Sequence, residues 1–373
     1  MREVLIIAGE ASGDLHGAGV AEQLRILRPD APLVGMGGER MAAAGVELFE
    51  RAEGVVGFAE VLKHLPAHLR LLWRVKALLR SGRIGLLILI DYPGFNLRVA
   101  RAAHAAGVPV LYYITPQVWA WKPGRLKMMA TVITRAAVIL PFEEPLLRAA
   151  GIDTTFVGHP LLDRALTMPD RSEARRRLGI AADAEVLALF PGSRAQEIER
   201  HLAEFEAVAR ELQRRRRGLQ VVVSVAPTIQ LDASRVPFPL VRAQSFDVLR
   251  AANVALCKSG TTTLEAAVAG CPCAVVYKTS RITFAIARRL VTIPHIGLLN
   301  VVAGREVAPE FVQDAFTTRA VADALDPLFV PGSPARERML EGMDEVRRTL
   351  GAPGAAARVA QMAGAMLPRE SFA

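Results

Sequence analysis

The chain has 373 residues, 51% of them apolar, which suits two domains with large cores and excludes a disordered chain. Lys plus Arg number 46 against 37 Asp plus Glu, a formal net charge of +9. That balance favours anionic partners: a phosphorylated ligand, an acidic membrane surface or nucleic acid. With 6% aromatic residues, no zinc-finger spacing and no RNP-type aromatic run, nucleic acid is set aside. The three cysteines, Cys257, Cys271 and Cys273, suggest neither a disulfide framework nor a metal site and read as buried small hydrophobes. The N-terminal apolar run is too short for a signal peptide, and no run is long enough to span a bilayer. The expectation is a cytoplasmic protein that rests on a membrane.

Residues 4–8 are an aliphatic run with the look of a buried parallel strand. Gly9-Glu10-Ala11-Ser12-Gly13-Asp14 follows and opens a helix to about residue 27. Strand, Gly-rich loop and helix belong to doubly wound α/β folds, where ligands sit at the carboxyl ends of strands. The spacing is not GxGxxG; Glu10, Ser12 and Asp14 are candidates for sugar hydroxyls, with a capped turn as the alternative. Between 62 and 80, Leu65, Leu69, Leu72 and Trp73 stand among apolar residues interleaved with basic ones. Such a helix suits the plane of an anionic membrane, or else packs on a core behind a solvated basic face. Pro66 is expected to split it.

Residues 84–90 are nearly all Leu and Ile, a central strand that ends in Asp91-Tyr92-Pro93-Gly94-Phe95-Asn96. An acid at that end of an open sheet is placed for catalysis. A further strand, 108–114, runs into Thr115-Pro116-Gln117-Val118-Trp119-Ala120-Trp121-Lys122, where large rings call for packing against a cleft or a ligand. Gly158-His159-Pro160 reads as a hinge between domains.

The second set of elements begins after Asp170. A strand at 186–190 ends in Pro191-Gly192-Ser193-Arg194, which places Arg194 for bidentate phosphate recognition, with a plain surface charge as the alternative. Strands follow at 221–225 and 274–278, with a helix expected over 282–290. The most informative stretch is 255–267, the end of a buried strand and then Ser259-Gly260-Thr261-Thr262-Thr263-Leu264-Glu265. A hydroxyl-rich glycine turn opening a helix attracts an anion to unpaired amides and a positive dipole end. Glu265, one turn on, can accept hydrogen bonds from a ribose. A plain Thr-to-Glu capping box is the alternative. The chain thus alternates strand and helix twice, with domains expected at 1–165 and 166–345. A last segment, 346–373, carries a helix expected to cross back to the first domain.

These motifs, in this order, resemble the lipid-A-disaccharide synthase family: Ala8 to Asp14, Ile90 to Asn96, Gln117 to Trp121, Gly158-His159-Pro160, Pro191 to Arg194, Ser259 to Glu265, and Asn300 to Glu306. The resemblance implies a GT-B fold, two Rossmann-like doubly wound domains facing a central cleft. It implies an inverting glycosyltransferase that joins UDP-2,3-diacylglucosamine to 2,3-diacylglucosamine 1-phosphate (lipid X), giving the β-1,6 lipid A disaccharide 1-phosphate and UDP. No metal or organic cofactor is implied. Arg194, Ser259, Gly260, Thr261, Thr262, Glu265, Asn300, Arg305 and Glu306 would then hold the donor. Ser12, Asp14, Asn96, Trp119 and His159 would line the acceptor side. Asp91 or Glu10 would be the base, Gly94 standing where some relatives carry an acid, and Arg194 would carry leaving-group charge. Leu65, Leu69, Leu72 and Trp73 would touch the inner face of the cytoplasmic membrane, and a homodimer is left open. Rival readings are another UDP-sugar enzyme of this fold, such as a non-hydrolysing epimerase, and a non-catalytic nucleotide or lipid binder.

Overall fold

The aliphatic runs fold as parallel strands whose two faces are both buried. In β4 (Ile84–Ile90) every residue is buried. In β1 (Glu3–Ala8) only Glu3 is partly exposed. The computed structural model describes residues 2–51, 65–120, 124–225, 229, 231–242, 244–281, 283–284 and 293–367, without the side chains of 65–67 and 235. The first part of the 62–80 segment, the Leu65 side chain, Trp121, Lys122, most of the expected 282–290 helix and the chain end lie outside the described residues.

Two compact units divide the chain, Met1–Pro160 with Gly351–Ala373, and Leu161–Leu350. The first holds a seven-stranded sheet. Its remaining strands are β2 (Leu33–Gly37), β3 (Glu47–Arg51), β5 (Val110–Tyr113), β6 (Arg135–Val138) and β7 (Asp153–Phe156), in the order β3-β2-β1-β4-β5-β6-β7. All of its pairings are parallel. The period-2 alternation of a strand sorts its residues between two cores. Val4, Ile6, Leu86, Ile88 and Ile90 face one, with the Ala11–Leu27 helix and the last helix, Ala355–Met366. Leu5, Ile7, Leu87 and Leu89 face the other, with the Leu65–Arg80, Pro93–Ala105 and Arg125–Val132 helices.

The second unit holds β8 (Val186–Phe190), β9 (Gln220–Ser224), β10 (Leu240–Val241), β11 (Val254–Lys258), β12 (Cys273–Tyr277) and β13 (Glu310–Val312), in the order β10-β9-β8-β11-β12-β13. These pairings are parallel as well. The three cysteines are buried and free.

The expectation that Pro66 splits the 62–80 segment turns on residues 62–64, which lie outside the described residues; from Leu65 to Arg80 the chain is one helix with Pro66 in its first turn. A first-turn amide has no partner within the helix, so proline costs nothing there. No described helix is long and apolar enough to cross a membrane.

Candidate active site

Each sheet reverses its winding once, and Glu10, Asp91, Arg194 and the Ser259–Thr262 turn lie on loops that leave those two reversals, whereas Trp119, His159, Asn300, Arg305 and Glu306 do not. In the first unit the order turns between β1 and β4, where Ala8 pairs with Ile90. The loops that leave these strands begin at Gly9-Glu10 and Asp91-Tyr92. In the second unit the order turns between β8 and β11, where Phe190 pairs with Cys257. The loops there carry Arg194 and the Lys258-to-Thr262 turn. Loops diverge at such a point and leave a crevice at the carboxyl edge of the sheet.

At the first reversal the backbone is under strain. Asp91 and Tyr92 both adopt φ +47°, a left-handed conformation that costs a side-chain-bearing residue energy. Two groups hold the turn: the Asn96 amide donates to the Ile90 and Asp91 carbonyls at 3.1 and 2.8 Å, and the Tyr112 hydroxyl donates to the Asp91 carbonyl at 2.8 Å. Burial and the Asp91 charge push the Tyr112 phenol well above its usual range, so it stays a donor. The Tyr92 ring covers Gly9 so closely that a Cβ on Gly9 would lie 2.3 Å from it. Its hydroxyl bonds to His68 Nε2 at 2.8 Å, and burial followed by the Glu10 charge raises its pKa. Glu10 and Asp91 are each half-buried. At Gly94 an added side chain would meet open space.

The other acceptor-side candidates divide. Ser12 is exposed in the first helical turn. Asp14 is spent on structure: its carboxylate accepts from the Gly38, Arg40 and Met41 amides and caps the Glu39–Ala43 helix. Asn96 is fully buried beneath Asp91. His159 is buried and neutral, its pKa pushed down to about 4 by desolvation and then by His16. The His16 ring stands edge-on to Tyr113 at 6.0 Å. The Trp119 indole donates to Glu143 Oε1 at 2.9 Å and meets Phe142 edge-on. Burial pushes Glu143 up to about 7 against the hydrogen bonds of Trp119 and Leu140.

At the second reversal, Arg194 is the exposed N-cap of the Ala195–Arg215 helix and stands 3.9 Å from Glu197. Glu197 also accepts from the Ser193 amide at 3.0 Å and from Lys258 Nζ at 2.8 Å. Gly192, at φ +144°, leaves room for Glu197, whose Cβ would be 2.6 Å from a Cβ at 192. Ser259 Oγ donates to the Ile296 carbonyl at 2.7 Å, Gly260 follows, and Thr261 and Thr262 open the Thr262–Ala269 helix. Glu265 is buried and paired with Arg164 at 2.8 Å, and Arg164 also reaches Ser245 Oγ at 3.3 Å. Asn300 is fully buried and acts as a brace, donating to the Ala308 carbonyl and Glu310 and accepting from the Val307 and Ala308 amides. Glu310 in turn accepts from the Ile296 and Gly297 amides, each at 2.9 Å, which anchors the carbonyl that receives Ser259. Arg305 is exposed and paired with Glu345, and Glu306 is exposed.

Sequence reasoning missed Lys258, Glu197, Arg164, Glu310, Glu143, Tyr92 and His16. Only Lys258 carried a visible signal, a lone cation closing an apolar strand. Among the described residues no group of three or more His, Cys, Asp or Glu is placed to hold a metal ion.

A family model described as lipid-A-disaccharide synthetase matches residues 4–349. A lipid-A-disaccharide synthase of Syntrophus aciditrophicus is 43% identical over 371 residues, covering 96% of each chain. One of Myxococcus xanthus is 41% identical over 375 residues, covering 98% of this chain and 97% of its own. Among solved structures, a Staphylococcus aureus MnaA–UDP complex superposes with a TM-score of 0.66 at 13% identity, covering 96% of this chain and 95% of that one. The calicheamicin glycosyltransferase CalG4 gives 0.61 at 17%, covering 99% of both. At these identities the structures speak for the fold alone, and that fold is GT-B.

Proposed function

The chain belongs to the lipid-A-disaccharide synthase family, and from that premise we propose how its two reversals divide the work of a glycosyltransferase. The enzyme condenses UDP-2,3-diacylglucosamine with lipid X. The second unit takes the UDP moiety, the first takes the acceptor, and the lipid A disaccharide 1-phosphate leaves with UDP as the other product. The observation that carries this reading is that Glu10 and Asp91 lie on the loops leaving one switch point, while Arg194, Lys258 and the Ser259–Thr262 turn lie on the loops leaving the other.

Inversion by direct displacement needs a base on the acceptor hydroxyl. Asp91 is that base: its strained turn is held by Asn96 and Tyr112, and strain of this kind is retained where it serves function. Glu10, across the β1–β4 reversal, orients the acceptor. Arg194 and the amides and hydroxyls of Ser259 to Thr262 hold the charge that develops on UDP. Glu265 takes the ribose through a carboxylate already steadied by Arg164. The basic apolar face of the Leu65–Arg80 helix keeps the enzyme on the inner face of the cytoplasmic membrane, where both acylated substrates reside.

Transfer of labelled sugar from UDP-diacylglucosamine to lipid X tests the reading. Asp91→Asn should lower kcat at least about 100-fold with KM little changed, and Arg194→Ala should lower it by roughly the same factor. Glu10→Gln should cost less kcat than Asp91→Asn. A chelator should leave transfer intact. Sugar conversion without lipid X would instead favour an epimerase.

A further inference from the structure

Lys258 closes β11 at the carboxyl edge, directly before the Ser259–Thr262 turn. Its ammonium lies 2.8 Å from Glu197 and 5.6 Å from the centroid of the Tyr277 ring. Its side chain and that of Glu197 are only 17% and 19% exposed. A half-buried charge pair is a weak source of stability, because desolvation offsets its Coulomb energy. The backbone ladder already joins β8 to β11, so the pair is not needed to hold the two strands together. What the pair does hold is two loops. Through Glu197 the Ser193 amide, Arg194 and Lys258 are gathered around one carboxylate, on both sides of the switch point. Two cations against one anion leave a net local charge of +1.

We propose that Lys258 is a second cation for the diphosphate of the donor, and that Glu197 is the counter-ion that keeps Lys258 and Arg194 aimed at the switch point. This rests on the reading that the second unit takes UDP. An ammonium has three N–H donors, and the Glu197 bond accounts for one. Lys258 therefore bonds a phosphate oxygen without releasing Glu197. Arg194 offers a planar fork to the same group, and Lys258 adds a point charge. Part of the desolvation of Lys258 is already met by Glu197 before the ligand arrives, so the cation is preorganised.

The test is calorimetric titration of the whole protein with UDP and with uridine. A charged hydrogen bond is worth about 1.5–3 kcal/mol, roughly ten- to a hundredfold in affinity. Lys258→Met should weaken UDP by that factor, leave uridine unchanged and flatten the salt dependence of UDP binding. Lys258→Arg should restore most of the UDP affinity. Glu197→Gln keeps the lysine and covers the case in which Lys258→Met fails to fold; its amide has one acceptor oxygen and cannot hold both Lys258 and the Ser193 amide, so UDP should bind several-fold more weakly with uridine unchanged. Equal loss of uridine and UDP in Lys258→Met, unchanged UDP binding there, or UDP binding in Glu197→Gln as tight as the parent's or tighter each overturns the proposal. Arg194→Ala separates the levels. If it weakens UDP while Lys258→Met does not, the Lys258 assignment falls and the UDP site stands. If the parent protein does not bind UDP, the reading beneath both falls.

Discussion

At the scale of single residues, two buried groups in the first unit give opposite pH dependences. The Glu143 carboxyl holds its proton up to about 7 in the folded protein, against an ordinary value of 4.5. Between those limits the folded state binds more protons than the unfolded chain, so stability falls as pH rises. The His159 imidazole is displaced the other way, from 6.5 to about 4, so its contribution is complete above 6.5 and is lost as pH falls towards 4. Each shift corresponds to about 3 kcal/mol, and between 4.5 and 6.5 the two slopes oppose each other. Replacing one group exposes the other. Glu143→Gln should gain melting temperature relative to the parent as pH is raised from 5 to 8; a gap that stays constant would mean the carboxyl is ionised throughout. Neither group was legible in the sequence as an unusual titrator. A glutamate in a Pro-Phe-Glu-Glu-Pro run looks like a solvated helix start, and only the indole of Trp119, from another loop, reveals it as buried. Asp14 and Asn300 show the converse. Their motifs marked them as ligand contacts, yet the structure occupies both side chains with backbone amides and carbonyls.

At the scale of elements, the strands were legible because parallel strands buried on both faces read as unbroken aliphatic runs. The edge strands β3, β10 and β13 were not, since half-exposed segments of two to five residues leave no periodic signal. The amphipathic helix shows where periodicity stops. Val75 and Leu79 are buried, and Leu72 packs against the core behind them. Leu69 and Trp73 face outward, 44% and 67% exposed, with Lys76 beside the Trp73 ring. A membrane face on this helix therefore centres on Leu69 and Trp73, with Leu72 supporting it from behind. Inserting two such side chains is worth about 1.5–3 kcal/mol each. Leu69→Asp with Trp73→Asp should lower partition onto anionic vesicles at least roughly 100-fold while leaving the melting temperature within a few degrees, as substitutions at exposed positions do. Co-sedimentation equal to that of the parent would remove this helix from the membrane contact. Raising salt from 0.1 to 1 M shortens the screening length from about 10 to 3 Å and should weaken the parent's binding, through the basic residues of the same helix.

At the scale of the whole molecule, two parallel sheets, each with one reversal, carry different charged groups on the loops that leave it. In each, the two strands that flank the reversal send their loops to one edge of the sheet, and the residues on those loops differ. The alternation of strand and helix could be read from periodicity. The strand order could not, because it depends on which runs pair in space, and with it went the knowledge that Glu10 and Asp91 follow neighbouring strands and that Arg194 and Lys258 share Glu197. The proposed division of labour has a direct consequence for ligand-linked stability. A ligand that binds only the folded state stabilises it by about 2.7 kcal/mol when present at 100 times its dissociation constant. UDP carries no acceptor and should confer this on the second unit alone. In hydrogen–deuterium exchange, UDP should slow the amides of residues 191–197 and 258–265 and leave those of 9–14 and 91–96 unchanged. Lipid X in micelles should do the reverse. Protection of 9–14 and 91–96 by UDP alone would exchange the roles of the two units, and with them the assignment of Asp91 as the base.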